Sequence, residues 1–148
     1  MKNVRSLIVA TLALVAHAAA LAQTSPVGLW KTVDDGSKQE KSLVRITESA
    51  GVLSGRIEKL LDPATKPDVV CDKCTDERKD KPILGMTILR NLRHSADDRD
   101  WWDGGDVTDP NNGKVYKARL RTIDGGTKLQ MRGYIGPFYR TQTWLRVE

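Results

Sequence analysis

The chain has 148 residues, and 24 Lys and Arg against 19 Asp and Glu leave a formal net charge of +5. The two signs are interleaved rather than blocked, which argues against a nucleic-acid-binding protein. The length suits one domain with a sizeable core, and no apolar run is long enough for a membrane-spanning helix.

The chain opens with "MKNVRSLIVATLALVAHAAALAQ". Lys2 and Arg5 precede an apolar run from Leu7 to Val15 that only Thr11 interrupts, and Ala20-Leu21-Ala22 supplies an A-x-A cleavage pattern. This is the layout of a secretory signal peptide, too short in its apolar part to anchor in a bilayer. We expect residues 1–22 to be removed, leaving 23–148 as one exported domain, periplasmic or secreted. No cysteine comes directly after the cleavage pattern, so lipid attachment is not suggested. Loss of Lys2 and Arg5 lowers the net charge to about +3. His17 leaves with them, so His94 is the one histidine expected to remain.

Alternation of apolar and polar residues dominates the chain from residue 23 onward. "VGLWKTV", "SLVRITES" and "VLSGRIEKLL" read as a strand meander, joined by "DDGSKQEK" and by a turn at Ala50-Gly51. "TDERKDKP" offers Thr75 as an N-cap, acids before bases, and Pro82 as a stop, which predicts one or two helical turns. "ILGMTILRNL" is ambiguous: Leu84, Ile88 and Leu92 keep helical spacing, but Gly85 and the β-branched residues favour a strand. Asp97 to Asp100 reads as an exposed loop. "GGDVTD", "VYKARLRTI" and "KLQMRGYI" then read as strands across the turn sequences "DPNNGK" and "DGGTK". "FYRTQTWLRV" continues them after Gly136-Pro137.

About eight strands joined mostly by tight turns predict an all-β, up-and-down antiparallel barrel with at most one short helix, in preference to a sandwich. A barrel of that size is either filled by its own side chains or holds one small ligand. In "VYKARLRTI", Tyr116, Ala118, Leu120 and Thr122 share one face, and Lys117, Arg119 and Arg121 the other. The basic face reads as solvated wall rather than a polyanion stripe, because nothing aromatic is interleaved with it.

Cys71 and Cys74 are the only cysteines. Their spacing suits a zinc half-site, a redox pair or a small disulfide. Structural zinc needs four ligands, and only His94 could add a nitrogen. A redox pair belongs at a helix start after a buried strand, a context missing here. Export favours oxidation, so a local disulfide is expected, contributing about 2 kcal/mol and fixing one loop.

Candidate ligand contacts come from the last two strands. "FYRTQTWLRV" sets Phe138, Arg140, Gln142, Trp144 and Arg146 against Tyr139, Thr141, Thr143, Leu145 and Val147. Neither face is purely aliphatic, so polar groups turned inward need partners or a ligand. Arg140 and Gln142 are candidates, with Arg132 and Tyr134, which share a face of the preceding strand. Asp103, Asp106 and Asp109 recur at steps of three but lack calcium-loop spacing, and Asp109 reads as a turn brace. Of Trp101 and Trp102, one is expected in the core and the other at a barrel end or facing outward. No G-x-S-x-G is present, and His94 lies in the charged stretch "RNLRHSADD", so no catalytic residue, metal or cofactor is assigned.

Gly28-Leu29-Trp30 opens the first strand and resembles the G-x-W pattern of lipocalins and calycins. That resemblance implies that Trp30 plugs one barrel end beneath a basic residue of the last strand, Arg146 or Arg140. "CDKC…KDKPILGMTIL", "WWDGGDVTDPNNGKVYKA" and "MRGYIGPFYRTQTWLRV" together resemble the exported bacterial family known as domain of unknown function 2147. The likeness spans Gly28 to Val147 and implies a lipocalin-like barrel, with no reaction attached. The resulting expectation is non-covalent binding of a small or lipid-like ligand, with no nucleic-acid partner. The alternative is an envelope structural or protein-interaction module with a side-chain-filled barrel.

Overall fold

A computed structural model describes residues 24–148; the expected signal peptide lies outside the described residues. Eight strands form a closed barrel, each antiparallel to its neighbour in chain order. They are β1 (Gly28–Val33), β2 (Glu40–Ser49), β3 (Val52–Leu60), β4 (Thr87–His94), β5 (Trp102–Asp109), β6 (Lys114–Ile123), β7 (Lys128–Ile135) and β8 (Phe138–Arg146). Pairing of Trp30 with Arg146 and of Lys31 with Leu145 joins β1 to β8 and removes both sheet edges.

Period-two alternation explains most of the wall. Ser42, Val44 and Ile46 of β2 are buried, as are Ala118 and Leu120 of β6, while Lys117, Arg119 and Arg121 point outward. The turns use the side chains that the sequence supplies. Asp34 Oδ1 accepts from the backbone N–H of Ser37 (2.7 Å) and Gly36 (3.1 Å), which holds its carboxyl below the usual range. Asp109 Oδ1 accepts from Asn111 N–H at 2.9 Å, and Asn112 Oδ1 from Lys114 N–H at 2.8 Å.

Two local expectations change. Residues 77–80 form a turn rather than a helix and Pro82 sits in an isolated bridge, while a short 3-10 turn occurs at Asp124–Gly126. The reason lies in Arg78. It is buried, its Nε donates to Asp76 at 3.1 Å, its Nη2 also reaches Asp76, and its Nη1 donates to Thr87 O at 3.3 Å. That clamp folds the segment back on itself instead of along a helix axis. β4 is a strand, as favoured, but it begins at Thr87. Leu89 and Leu92 are both fully buried although three apart, because Asn91 sits in left-handed backbone (φ 62°) and resets the alternation. Leu84, the first residue of the helix-like spacing, lies outside the strand and is exposed.

The tightest core fills one end of the barrel, where Trp30, Val44, Ile46, Leu53, Leu92, Leu120 and Leu129 are sealed from solvent. The other end is bordered by the β1–β2, β5–β6 and β7–β8 connections and by residues 61–86, the long β3–β4 connection.

Candidate functional site

The open end leads into a cavity of about 940 Å³. The lumen is therefore not filled by side chains, as the alternative expectation required. Ile57, Ile88, Val107, Met131 and Trp144 make its apolar wall, each supplied by the inward face of a different strand. Few polar groups interrupt it. Thr32 and Ser42 hydrogen-bond each other through their hydroxyls at 2.8 Å. Asn112 Nδ2 donates to the Tyr116 hydroxyl at 3.0 Å. Trp144 Nε1 donates to Gln142 Oε1 at 3.0 Å, so the oxygen of that amide is used and its NH2 is available to an occupant. Thr108 is 2% exposed, lines the cavity, and has a hydroxyl oxygen with no protein partner.

The rim is apolar on one side. Ile135, Phe138 and Tyr139 of the β7–β8 hairpin border the mouth, with Phe138 77% exposed. Two of its cations are paired. Arg140 donates to both oxygens of Asp35, at 2.6 and 3.3 Å, and this contact holds the Asp35 carboxyl below its ordinary value. Lys41 bonds Asp62 at 2.9 Å and lowers that carboxyl likewise.

Of the four candidate contacts, Arg140 and Gln142 line the cavity, while Arg132 and Tyr134 stand outside it. Met131 and Gly133 occupy inward positions of β7, so Arg132 and Tyr134, which alternate with them, face out. Arg132 lies over Tyr139 (4.8 Å), and Tyr134 packs on that same ring at 5.3 Å between centroids. Sequence reasoning did not single out Thr32, Ser42, Thr108 or Tyr116 as lining residues. Alternation hinted at Tyr116 alone; the others needed the barrel to close.

The far end is sealed by Trp30 and Arg146. The Arg146 Cζ sits 4.2 Å from the Trp30 ring centroid, and Trp30 Nε1 donates to Pro26 O at 2.8 Å. Arg146 also donates from Nε to Gly126 O (2.5 Å), from Nη1 to Val27 O (3.1 Å) and from Nη2 to Ser25 O (2.5 Å). Burial pushes this guanidinium below its ordinary pKa. Gly28 has φ 144°, and a Cβ there would run into the Glu148 carbonyl and the Arg146 side chain. The glycine of G-x-W is thus required by the last strand crossing it.

Cys71 and Cys74 form a disulfide, with Cα atoms 5.4 Å apart, and both are buried. Their loop packs against the β5–β6 turn: Gly113 has φ 72°, and any Cβ would strike the Lys73 carbonyl. The three aspartates separate in role. Asp103 neighbours Arg119 at 3.5 Å, Asp106 pairs with Arg90 at 3.2 Å, and Asp109 braces its turn. His94 is exposed at the end of β4, its ring 3.8 Å from that of Trp102.

One tryptophan of the pair enters the core and the other lies outside the barrel wall, as expected, but the outer one is covered rather than exposed to solvent. Trp102 joins the core. Trp101 lies against the outer wall beneath Arg119, Arg121 and Arg132. The basic face of β6 therefore does have an aromatic partner, delivered from the β4–β5 connection.

A closed eight-stranded barrel, plugged by Trp and Arg at one end and open at the other, defines a lipocalin-like protein. A solved structure described as a protein from the human pathogen Helicobacter pylori that belongs to the lipocalin family matches with a TM-score of 0.70. The match is 18% identical and covers 84% of each chain, a likeness of fold. The family model described as "Uncharacterized protein conserved in bacteria (DUF2147)" matches residues 28–146, and the chain belongs to that family. No curated protein matches it.

Proposed function

We propose that the protein binds a small apolar or amphipathic molecule, without covalent chemistry, in the lumen of its barrel. The observation that carries this reading is the open cavity of about 940 Å³, walled by Ile57, Ile88, Val107, Met131 and Trp144. Ligand pockets run from about 300 to 1,000 Å³ and combine such walls with a few convergent polar groups. The apolar body of the ligand packs against these side chains, gaining about 0.8 kcal/mol per buried methylene. Its polar end meets the Gln142 amide. Arg140 and Lys41 are already bonded to Asp35 and Asp62, so neither is free to receive a carboxylate.

The same reading places the protein outside the cytoplasm, in the periplasm or secreted. Its support is the signal-peptide layout of residues 1–22 and the Cys71–Cys74 disulfide, a bond that persists in oxidising compartments. Among the described residues, no helix is long and apolar enough to cross a membrane. The outer wall carries Arg45, Glu58, Lys117 and Arg119 rather than the apolar band of a membrane-spanning barrel.

Native mass spectrometry of protein purified from its own envelope, followed by organic extraction, tests the proposal. A co-purified small molecule supports it, as does saturable uptake of N-phenyl-1-naphthylamine with quenching of tryptophan emission. Empty protein that also takes up no probe overturns it.

A further inference from the structure

The outer wall carries a second cluster that the lumen does not account for. Trp101 is only 4% exposed, and its cover is cationic. The Cζ atoms of Arg119, Arg121 and Arg132 lie 4.7, 4.5 and 4.8 Å from its ring centroid. An indole has two faces, so at least two of these cations share one. Arg119 and Arg132 are also direct cross-strand partners in the β6–β7 register, a placement that is unfavourable for like charges. Lys117 adds a further cation on the same face of β6.

Negative charge and acceptors are in short supply here. Asp103 is the nearest acid, 3.5 Å from Arg119 Nε, too long and poorly aligned for a hydrogen bond. Arg121 Nε donates to the neutral Gln130 side chain at 2.8 Å. The Nε atoms of Arg119 and Arg132 are buried and have no acceptor. Those two Nε atoms are sealed from solvent, so an incoming anion reaches these side chains through their terminal Nη groups and relieves the unmet charge of the cluster from outside. The aromatic ring attracts each cation but supplies no acceptor oxygen.

We propose that Arg119, Arg121 and Arg132, set on Trp101, form a binding site for a phosphate-type oxyanion on the outside of the barrel. Guanidinium forks match phosphate oxygens in bidentate geometry. A tetrahedral phosphate offers more acceptor oxygens, spread over more directions, to forks arriving from two strands than a planar carboxylate does. The same group is carried by free phosphate and by a phospholipid head, and both would meet the three arginines alike.

The test is to titrate the purified protein with inorganic phosphate against sodium chloride at matched ionic strength. It is read by the arginine Nε–H resonances in nitrogen-15 NMR and by thermal unfolding. The expected result is saturable movement of the Arg119 and Arg132 resonances with phosphate alone, together with a higher melting temperature. Arg132→Gln should weaken phosphate binding at least tenfold. Arg121→Lys, which keeps the charge and the stem, should weaken it less. A parallel arm uses phosphatidylglycerol and phosphatidylcholine vesicles. Phosphatidylglycerol binding that free phosphate competes away identifies the lipid head as the source; phosphate saturation without vesicle binding identifies the free ion. Equal responses to phosphate and chloride in the unaltered protein, or phosphate binding undiminished in Arg132→Gln, overturn the site.

Discussion

Trp30 and Arg146 illustrate how single residues carry more than one duty. The indole fills the closed end, and the guanidinium covers it while satisfying the carbonyls of Ser25, Val27 and Gly126. Trp30→Ala leaves a large void in a fully buried position and should cost about 3–5 kcal/mol. Arg146→Lys keeps the charge but loses the fork that spans three carbonyls, and should cost about 1–3 kcal/mol. Urea unfolding measures both. Asp76 gives a pH signature at the same scale. Its hydrogen bonds from Arg78 hold the carboxyl down to about 2, against 3.8 for an unperturbed one. A depressed carboxyl stabilises the fold above its unfolded value, and that contribution drains away as pH falls through the folded value. Asp76→Asn should therefore be destabilised by about 1–3 kcal/mol at neutral pH. The gap to the unaltered protein should close between about pH 4 and pH 2. A gap that persists unchanged at pH 2 would refute the assignment.

At the scale of elements, the long β3–β4 connection is the part that alternation alone does not order. Short ties hold it. Val70 bridges Pro82, Cys71 N–H donates to Lys81 O at 2.9 Å, and Asp80 N–H donates to Cys71 O at 2.9 Å, around the disulfide. Ile83 and Met86 anchor its end in the core. The double variant Cys71→Ala with Cys74→Ala should keep the barrel but lose about 2 kcal/mol, the chain-entropy value for so small a loop. Hydrogen exchange should show the Cys71 and Asp80 amides deprotected while those of β6 and β7 stay protected. Collapse of exchange protection throughout the barrel would mean that the connection is part of the folding core.

The whole molecule is a barrel with a filled half and an empty half, and binding is argued at that scale. Gly133 faces the lumen beside Tyr116 and Val107, in backbone that an ordinary residue tolerates. Gly133→Leu should therefore occupy cavity volume, reduce probe uptake at least tenfold, and leave the melting temperature unchanged or raised. A homologous series of neutral amphiphiles should gain about 0.8 kcal/mol per methylene, close to fourfold in Kd, until the lumen is full. Isothermal titration gives that slope, and a flat series would argue for attachment at the apolar rim instead. Phe138 and Ile135 stand at that rim.

Alternation, turn residues and the G-x-W opening were enough to establish eight antiparallel strands in chain order, because a strand's two faces and its tight turns are local properties of the chain. The paired cysteines and the Trp30–Arg146 plug were legible for related reasons, one from spacing and compartment, the other from family pattern. What became of Arg132 and Tyr134 was not. They share a strand face, but which face turns inward depends on how all eight strands close, and closure put Met131 and Gly133 inside. The empty half of the lumen was equally hidden, since the volume left between opposed walls is a sum over strands distant in sequence. Trp101 is the sharpest case. Its cationic cover comes from β6 and β7, and only the folded wall gathers three arginines around one indole.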